Sequence, residues 1–250
     1  MSGHSKWSSI KHKKGAADAK RGKLFTKLAR AITIAARDGG GSIDANPALG
    51  LAVQRARDAS MPKDNIQRAI DRGTGEGADA AAIESITYEG YGPGGAAILV
   101  EALTDNRNRT GSEVRHAFEK HGGSLGEPNS VAWQFSKRGV ILLDGERYGE
   151  DDLMAAIDAG AEDVVTDADV LKVLTAASDL AAVRSALEEA GVEIESAELS
   201  MEPQSTVEVS ESEAGPLLRL MDYLEEHDDV DSVHANFDVP EEILEKVAAG

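Results

Sequence analysis

The residues best suited to chemistry in this sequence are the lysines and arginines at its start. Between Ser2 and Arg30 the chain has nine Lys or Arg but one acid, Asp18, although the 250 residues together carry a formal net charge of −19. A solvated helix face normally mixes both signs of charge, because opposite charges four residues apart stabilise each other. Cations without nearby acids instead indicate a polyanion partner, since each phosphate that they neutralise releases condensed counterions.

We predict that these cations contact phosphates and supply affinity without reading a base sequence. Some form a basic arm at the N-terminus, and others recur along the following helix beside an apolar stripe of Leu24, Leu28 and Ala31. Trp7 either pins the arm to a core or stacks on a base. The predicted nucleic-acid contacts are Lys6, Lys11, His12, Lys13, Lys14, Lys20, Arg21, Lys23, Lys27, Arg30, Arg107 and Arg109.

The last two of these contacts belong to the stretch DNRNRT, residues 105–110. This stretch is predicted to be a loop that leads into a helix, with Thr110 and Glu113 at the spacing of a capping box. Arginines beside a helix N-terminus favour an anion. The same residues also fit a loop that is locked by pairing of Asp105 with an arginine, and the sequence leaves both interpretations open.

We interpret no set of residues in this chain as an enzyme active site. The absence of cysteine excludes disulfides, thiolate metal sites and Cys nucleophiles. Gly90–Gly95 matches G-x-G-x-x-G, but a strand follows it where a dinucleotide site needs a helix N-terminus. His116 and His121 are five residues apart and do not share a helix face as a metal pair would. Acidic runs such as Asp228–Asp229 are interpreted as caps and solubilising surface, so we predict no catalytic residue, metal or cofactor.

The elements that must position the cations begin with three helices. Apolar residues recur at helical spacing over residues 20–37, and the glycines of residues 39–41 end that helix. A second helix is predicted over residues 46–59, with Asn46 as its cap, and a third from Pro62 to Gly73. Residues 73–82 have the composition of a linker.

Two α+β domains are predicted after the linker. Residues 83–130 contain two strands and a helix, whereas residues 131–204 follow the order β-α-β-β-α-β of a ferredoxin-like fold. The elements of residues 205–250 need a sheet, which residues 83–130 can provide. We therefore predict an α+β multidomain protein with a basic three-helix domain (1–75), an α+β domain (83–130 plus 205–250) and an inserted ferredoxin-like domain (131–204).

The charge is distributed unevenly over these domains. Residues 1–72 hold 15 Lys or Arg against 6 Asp or Glu, whereas residues 140–250 hold 5 against 30. Such asymmetry predicts one segment dedicated to a polyanion. The ferredoxin-like strands carry acids and no aromatic side chains where an RNA-recognition module stacks bases, so that domain is expected to repel RNA.

The start of the chain has none of the apolar character of a secretory signal. No apolar h-region follows the basic residues, and the most apolar early window, LARAITIAA, is too short to span a membrane. We predict a cytoplasmic protein with no membrane partner.

Several stretches of the sequence resemble the YebC family over essentially the whole chain. These stretches are GHSKWSSIKHKKGAADAKRGKLFTKLAR, MPKDNIQRAIDRGTGE, YEGYGPGG, DNRNRT and DSVHANFD. The resemblance implies a helical N-terminal domain and two α+β domains, one inserted in the other. It also implies a cytoplasmic DNA-binding transcriptional regulator, although mitochondrial relatives are translational activators and bacterial members are linked to ribosome stalling.

We therefore expect a non-enzymatic, nucleic-acid-binding regulator of gene expression that acts on DNA in transcription. The alternative is a ribosome- or RNA-binding translation factor that activates translation or relieves ribosome stalling. The basic arm and first helix are expected to bind phosphates, while the acidic C-terminal domains engage the transcription machinery or the ribosome. Acidic domains also disfavour promiscuous binding, because only an orientation that points the arm at the polyanion avoids repulsion.

Overall fold

The computed structural model describes residues 18–75, 83–167, 170–240 and 243. Within these ranges the chain forms two compact units, one of residues 135–204 and one of the described residues on either side. The basic arm, Trp7 and most of the predicted linker lie outside the described residues. Over the described ranges no helix has both the length and the apolar content needed to cross a membrane.

The N-terminal bundle consists of three helices. They are α1 (Asp18–Gly39), α2 (Pro47–Asp58) and α3 (Lys63–Gly73). Helix α1 packs against both of the others, and its buried Leu28 and Ile32 share one core with Val53 of α2 and Ile70 of α3. The bundle core is therefore built from the helical apolar spacing that the sequence contains.

Asn46 caps helix α2, as predicted. Its side-chain oxygen accepts a hydrogen bond of 3.1 Å from the Leu49 N–H. Its amide donates to the carbonyls of Ala35 and Gly40, at 2.7 and 2.8 Å. The same side chain therefore satisfies a donor at the start of α2 and acceptors at the end of α1.

The second domain begins with a strand pair and a helix. Its elements are β1 (Glu84–Tyr91), β2 (Ala97–Thr104), α4 (Arg107–Lys120) and the short β3 (Ser124–Leu125). Strands β1 and β2 are antiparallel and are joined by a single 3-10 turn at Pro93–Gly95. As predicted, the Gly90–Gly95 stretch turns the chain between two strands: Gly90 and Tyr91 end β1, and Gly92–Gly95 form the turn. Strand β2 follows where a dinucleotide fold would place a helix.

The predicted capping box at the start of α4 is wrong. The helix begins at Arg107, and its cap is Asn106, four residues before Thr110. The Asn106 side-chain oxygen accepts from the Arg109 N–H at 3.1 Å. Thr110 lies inside the helix and is fully buried. Its hydroxyl is bound to other oxygens, so it is not available to cap the backbone.

Residues 135–204 form the ferredoxin-like unit. Its elements are β4 (Phe135–Asp144), α5 (Met154–Asp158), β5 (Ala161–Asp167), β6 (Val170–Ala176), α6 (Leu180–Glu189) and β7 (Ser196–Pro203). The sheet order is β5-β6-β4-β7, and all neighbouring strands are antiparallel. The predicted ferredoxin-like order is therefore confirmed.

The last segment completes the sheet that the second domain began before the insertion. Its elements are β8 (Val207–Glu208), α7 (Glu211–Glu225), β9 (Val230–Ala235) and β10 (Phe237–Asp238). Strand β9 pairs with β2, which gives the sheet order β3-β1-β2-β9. Phe118 of α4 and Leu217 of α7 share a buried core with Ile98 of β2. The α+β class and the insertion are therefore as predicted, and nearly all of the chain after Pro240 lies outside the described residues.

Candidate nucleic-acid interface

The structure describes only part of the predicted nucleic-acid interface. Lys6, Lys11, His12, Lys13 and Lys14 lie outside the described residues, and Lys20 lies in α1 with its side chain outside them. Arg21 is exposed near the start of α1 and has no ion pair with any residue that the structure describes. Its guanidinium therefore stays accessible to an external anion.

Lys23 and Lys27 point at the C-terminal end of helix α7 in the same compact unit. The Lys27 ammonium donates to the carbonyl of Glu225 at 2.5 Å. The Lys23 ammonium lies 3.4 Å from the carbonyl of Glu226 and 3.4 Å from the carboxylate of Asp228. Residues four apart share a helix face, and the last carbonyls of a helix carry partial negative charge. The two lysines therefore hold α1 against the end of α7.

Lys27 differs from an ordinary surface lysine in its electrostatics. Burial lowers the pKa of Lys27, and the nearby charge of Lys23 lowers it further, although Asp231 and Glu225 oppose the change. A lysine in this position contributes to packing as well as to charge.

Arg30 binds a buried carboxylate in the segment that follows α7. Its guanidinium donates to an oxygen of Asp229 at 2.8 Å and to the Asp228 carbonyl at 2.7 Å. The Asp229 side chain is only 4% exposed. A buried ion needs several partners to offset its lost hydration, and Arg30 supplies one of them from the helical bundle.

The other oxygen of Asp229 is held by residues of the sheet domain. Arg109 and Thr110, both in the first turns of α4, donate to it at 2.8 Å each. Thr104, at the end of β2, donates to the same oxygen at 3.2 Å. Asp229 therefore joins α1, β2 and α4 through one carboxylate.

These partners determine the charge state of Asp229. Burial by itself would raise the pKa of Asp229, but hydrogen bonds from Arg109 and Thr110 and the charge of Arg30 outweigh that effect and lower the pKa to about 2. The carboxylate is therefore ionised throughout the physiological pH range.

The two arginines of the DNRNRT stretch have different environments. Arg109 donates to Asp105 at 3.0 Å as well as to Asp229, which is the locked arrangement that the sequence left open. Arg107 is exposed and has no ion pair with another described residue. Arg107 therefore keeps a guanidinium that an external anion can reach.

Sequence reasoning missed the central residue of this network. The interpretation of Asp228–Asp229 as solubilising surface is wrong for Asp229, because this side chain is buried. The sequence likewise gives no sign that the hydroxyls of Thr104 and Thr110 donate hydrogen bonds to Asp229. No local pattern marks one aspartate of an acidic pair as buried, since the burial depends on Arg30, 199 residues away in the chain.

Glu113, His227 and Asp229 bring three potential metal-ligand atoms, from two carboxylates and one imidazole, within 4.8 Å of one another. Their atoms are already engaged: His227 Nδ1 accepts from the Asp229 N–H at 3.1 Å, so its proton is on Nε2, 2.8 Å from Glu113. A divalent cation would also face the guanidinium groups of Arg30 and Arg109 on Asp229. The arrangement is therefore a hydrogen-bonded support for the buried aspartate and is poorly suited to a metal.

Comparisons with known proteins agree with this architecture. The chain is 61% identical over 249 residues to a "Probable transcriptional regulatory protein" of Rubrobacter xylanophilus, covering 99% of this chain and 100% of that protein. A protein of the same description from Syntrophobacter fumaroxidans is 54% identical over 250 residues, again covering 99% and 100%. The crystal structure of a conserved hypothetical protein from Aquifex aeolicus matches with a TM-score of 0.83 and 46% identity, over 91% of this chain and 94% of that one.

Two family models cover most of the chain. Residues 5–76 match the TACO1/YebC protein N-terminal domain, and residues 83–237 match the TACO1/YebC second and third domain. The boundary between the two matches falls in the stretch that the sequence predicts to be a linker. The chain belongs to the TACO1/YebC family.

Proposed function

We propose that this protein is a non-enzymatic, nucleic-acid-binding regulator of gene expression that acts in the cytoplasm as a DNA-binding transcriptional regulator. The observation that carries the proposal is the separation of charge, with 15 Lys or Arg against 6 acids in residues 1–72 of a chain whose net charge is −19. Its relatives are described as probable transcriptional regulatory proteins, which agrees with this function.

The cations of the helical bundle fall into two groups: exposed ones that an external phosphate can reach, and ones that bind the sheet domain. Arg21, Arg57, Lys63 and Arg72 are exposed on the bundle and form no ion pair with any described residue. Together with the predicted arm, they can neutralise phosphates. The stripe of Lys23, Lys27 and Arg30 instead fixes the bundle to the sheet domain. The acidic remainder of the chain repels a polyanion and so orients it toward the arm.

A second candidate is a ribosome- or RNA-binding translation factor, and one observation favours it. Trp133 is 69% exposed, and an exposed indole can stack on an unpaired base. Folded RNA presents unpaired bases in loops and bulges, whereas a DNA duplex keeps its bases stacked and paired.

Binding measurements on the two polyanions test the proposal. The full chain is titrated into a labelled DNA duplex and a labelled ribosomal RNA fragment by fluorescence anisotropy, and its co-sedimentation with ribosomes is measured in parallel. If about five to eight phosphates are neutralised, log K should fall with log salt with a slope of about −4 to −7 on duplex. Tighter binding to the DNA duplex than to the RNA fragment supports a DNA-binding transcriptional regulator. Co-sedimentation of the protein with ribosomes supports the second candidate.

A matched pair of variants tests the role of the arm. Lys13→Glu with Lys14→Glu should weaken binding by roughly tenfold or more, because two attractive contacts with phosphates become repulsive. Arg115→Glu with Lys137→Glu changes the net charge equally, at exposed cations outside the proposed interface, and should have a much smaller effect. Equal losses in both variants would show that net charge alone governs binding, and unchanged binding in the arm variant would overturn the role of the arm.

A further inference from the structure

An open cleft lies beside the turn that joins strands β1 and β2. It has a volume of about 570 Å³ and is bordered by the turn Gly92–Gly94, the end of α4 at Lys120–Gly122, and one face of α7 from Ser212 to Arg219. Strand β2 begins beside this turn, and Arg30 of α1 contacts the Leu103 carbonyl near the other end of the strand. At about 3.4 Å per strand residue, roughly 20 Å separates the cleft from that contact. The cleft is therefore a surface distinct from the basic stripe of α1.

Arg219 brings a positive charge to the cleft from an acidic part of the chain. It is the only Lys or Arg between residues 185 and 245, and it is exposed and forms no ion pair with any described residue. Its guanidinium lies back along α7 over Gly215, since a Cβ added at Gly215 would be 3.5 Å from Nη1. The charge is therefore directed toward the start of α7, where the cleft lies.

Lys120, the last residue of α4, brings a second cation to the cleft. Its side chain is exposed and likewise has no ion pair within the part of the chain that the structure describes. The ammonium lies 5.3 Å from the ring centre of Tyr223 on α7, which is a cation–π distance. This contact positions the ammonium but leaves its charge in place, so Lys120 can still bind an anion.

His121 also lines the cleft, and its electrostatics show that both cations are near it. Burial lowers the pKa of His121, and the positive charges of Lys120, Arg219 and His116 lower it further. Its Nε2 atom is shielded from solvent and has no hydrogen-bond partner, while its ring packs against Tyr223 with 5.8 Å between the ring centres. The imidazole is therefore neutral at physiological pH, and the repulsion between the neighbouring cations would be relieved by an anion in the cleft.

The acid among the described residues of the cleft is Glu213. Its carboxylate accepts hydrogen bonds from the N–H and the hydroxyl of Ser210 in the capping box at the start of α7. It forms no ion pair with Lys120 or Arg219. Two cations against one engaged carboxylate leave the cleft positively charged, although the whole chain has a net charge of −19.

We propose that this cleft binds a phosphate monoester between Lys120 and Arg219. At neutral pH such a group carries close to two negative charges and three strong acceptor oxygens, which suits two cations that no described acid neutralises. A backbone phosphodiester carries a single charge and fits less well. A free nucleotide and the phosphorylated end of a nucleic acid share this chemistry. The site is on the sheet domain and does not depend on the basic arm, so the inference goes beyond the proposed function.

Nuclear magnetic resonance of His121 gives a local readout of binding. The chain has six histidines, and the His121→Gln variant identifies the ring-proton signals of His121 by their loss. Adenosine 5′-monophosphate (AMP) should shift these signals saturably and raise the pKa of His121, because a nearby anion favours the imidazolium. Adenosine should do neither. A short single strand of nucleic acid with a 5′-phosphate should act as AMP does, whereas the same strand with a 5′-hydroxyl should not.

Two matched double variants test the role of the cations. Lys120→Gln with Arg219→Gln should weaken the binding of AMP by roughly tenfold or more, because each change removes a hydrogen bond between charged groups. Arg115→Gln with Lys137→Gln removes the same charge at exposed positions outside the cleft and should leave AMP binding nearly unchanged. Circular dichroism melts check that each variant is folded.

The outcomes are distinct. Saturable shifts that are lost in the Lys120 and Arg219 variant support the inference, and a response to only one of the two monoesters identifies the source of the phosphate. No response to either monoester, or a response that this variant retains, overturns the inference. Equal responses to the 5′-phosphate and 5′-hydroxyl strands overturn the preference for a monoester. Anisotropy of a labelled duplex with Lys13→Glu and Lys14→Glu tests the proposed function separately in every case.

Discussion

The guanidinium of Arg30 lies 2.8 Å from the carboxylate of Asp229, and this contact joins helix α1 of the basic bundle to the sheet domain. The second oxygen of the same carboxylate is held by Arg109 from α4, also at 2.8 Å. Part of the basic stripe that the sequence assigns to phosphates therefore has an anion of its own chain as partner. The stripe contributes to the stability of the protein as well as to its charge.

Replacing Asp229 should destabilise the protein substantially. In Asp229→Asn the two arginines lose their buried counter-charge, and breaking a buried ion pair typically costs about 3 kcal/mol or more. Asp228→Asn is the matched control, because the side chain of Asp228 is 66% exposed and its ion pair with Lys23 is 3.4 Å long. That change should cost less than about 0.5 kcal/mol. Denaturant unfolding of both variants measures the difference, and equal losses would contradict the role assigned to Asp229.

The contribution of Asp229 should disappear in acid. The pKa of Asp229 falls from 3.8 to about 2 in the folded protein. Because the folded pKa is depressed, its stabilisation is fully present above pH 3.8 and is lost as the pH falls toward about 2. The difference in free energy of unfolding between the parent and Asp229→Asn should therefore shrink by roughly 2 kcal/mol from pH 6 to pH 2. If this difference in free energy of unfolding stays constant from pH 6 to pH 2, the partners of Asp229 do not stabilise its ionised carboxylate in the folded protein.

Two charge reversals on α1 should separate stability from nucleic-acid binding. Arg21→Glu changes an exposed side chain without a described ion pair, so it should weaken binding and move the free energy of unfolding by less than about 0.5 kcal/mol. Lys27→Glu places a carboxylate against the Glu225 carbonyl and near Asp228 and Asp231, so it should also lower stability, by about 1 kcal/mol or more. Thermal melts and anisotropy on both variants test this, and equal melting temperatures would contradict the contacts of Lys27.

A pair of glycine substitutions should test how closely α1 and α3 approach. A Cβ added at Gly73 would lie 2.3 Å from the Thr33 carbonyl oxygen and 2.8 Å from the Ala36 Cβ, so Gly73→Ala should destabilise the bundle by about 1–3 kcal/mol. A Cβ at Gly22 would meet nothing within 4 Å, so Gly22→Ala should stabilise helix α1 by roughly 0.5–1 kcal/mol. Denaturant unfolding should give effects of opposite sign, and a neutral Gly73→Ala would show that the helices can move apart.

The elements of this protein are determined largely by local sequence. The cap at Asn46, the apolar stripe with Leu28 and Ile32, and the β-α-β-β-α-β order of residues 131–204 predict structures that the molecule contains. Each of these signals depends on residues a few positions apart, because capping and periodicity act over single turns and strands. The charge asymmetry is likewise a property of composition alone.

The tertiary structure decided which charges are available to a partner. Lys27 and Arg21 look alike in the sequence, yet only Lys27 reaches the end of α7, 198 residues further along the chain. Asp228 and Asp229 are adjacent, but one is exposed and the other is buried between two arginines. The Tyr91 hydroxyl and the Trp133 indole N–H donate to the same Ser130 carbonyl, although strand β1 and this loop are far apart in the sequence. Ion pairing and burial depend on distances through space that no local pattern encodes, so only the folded chain determines them.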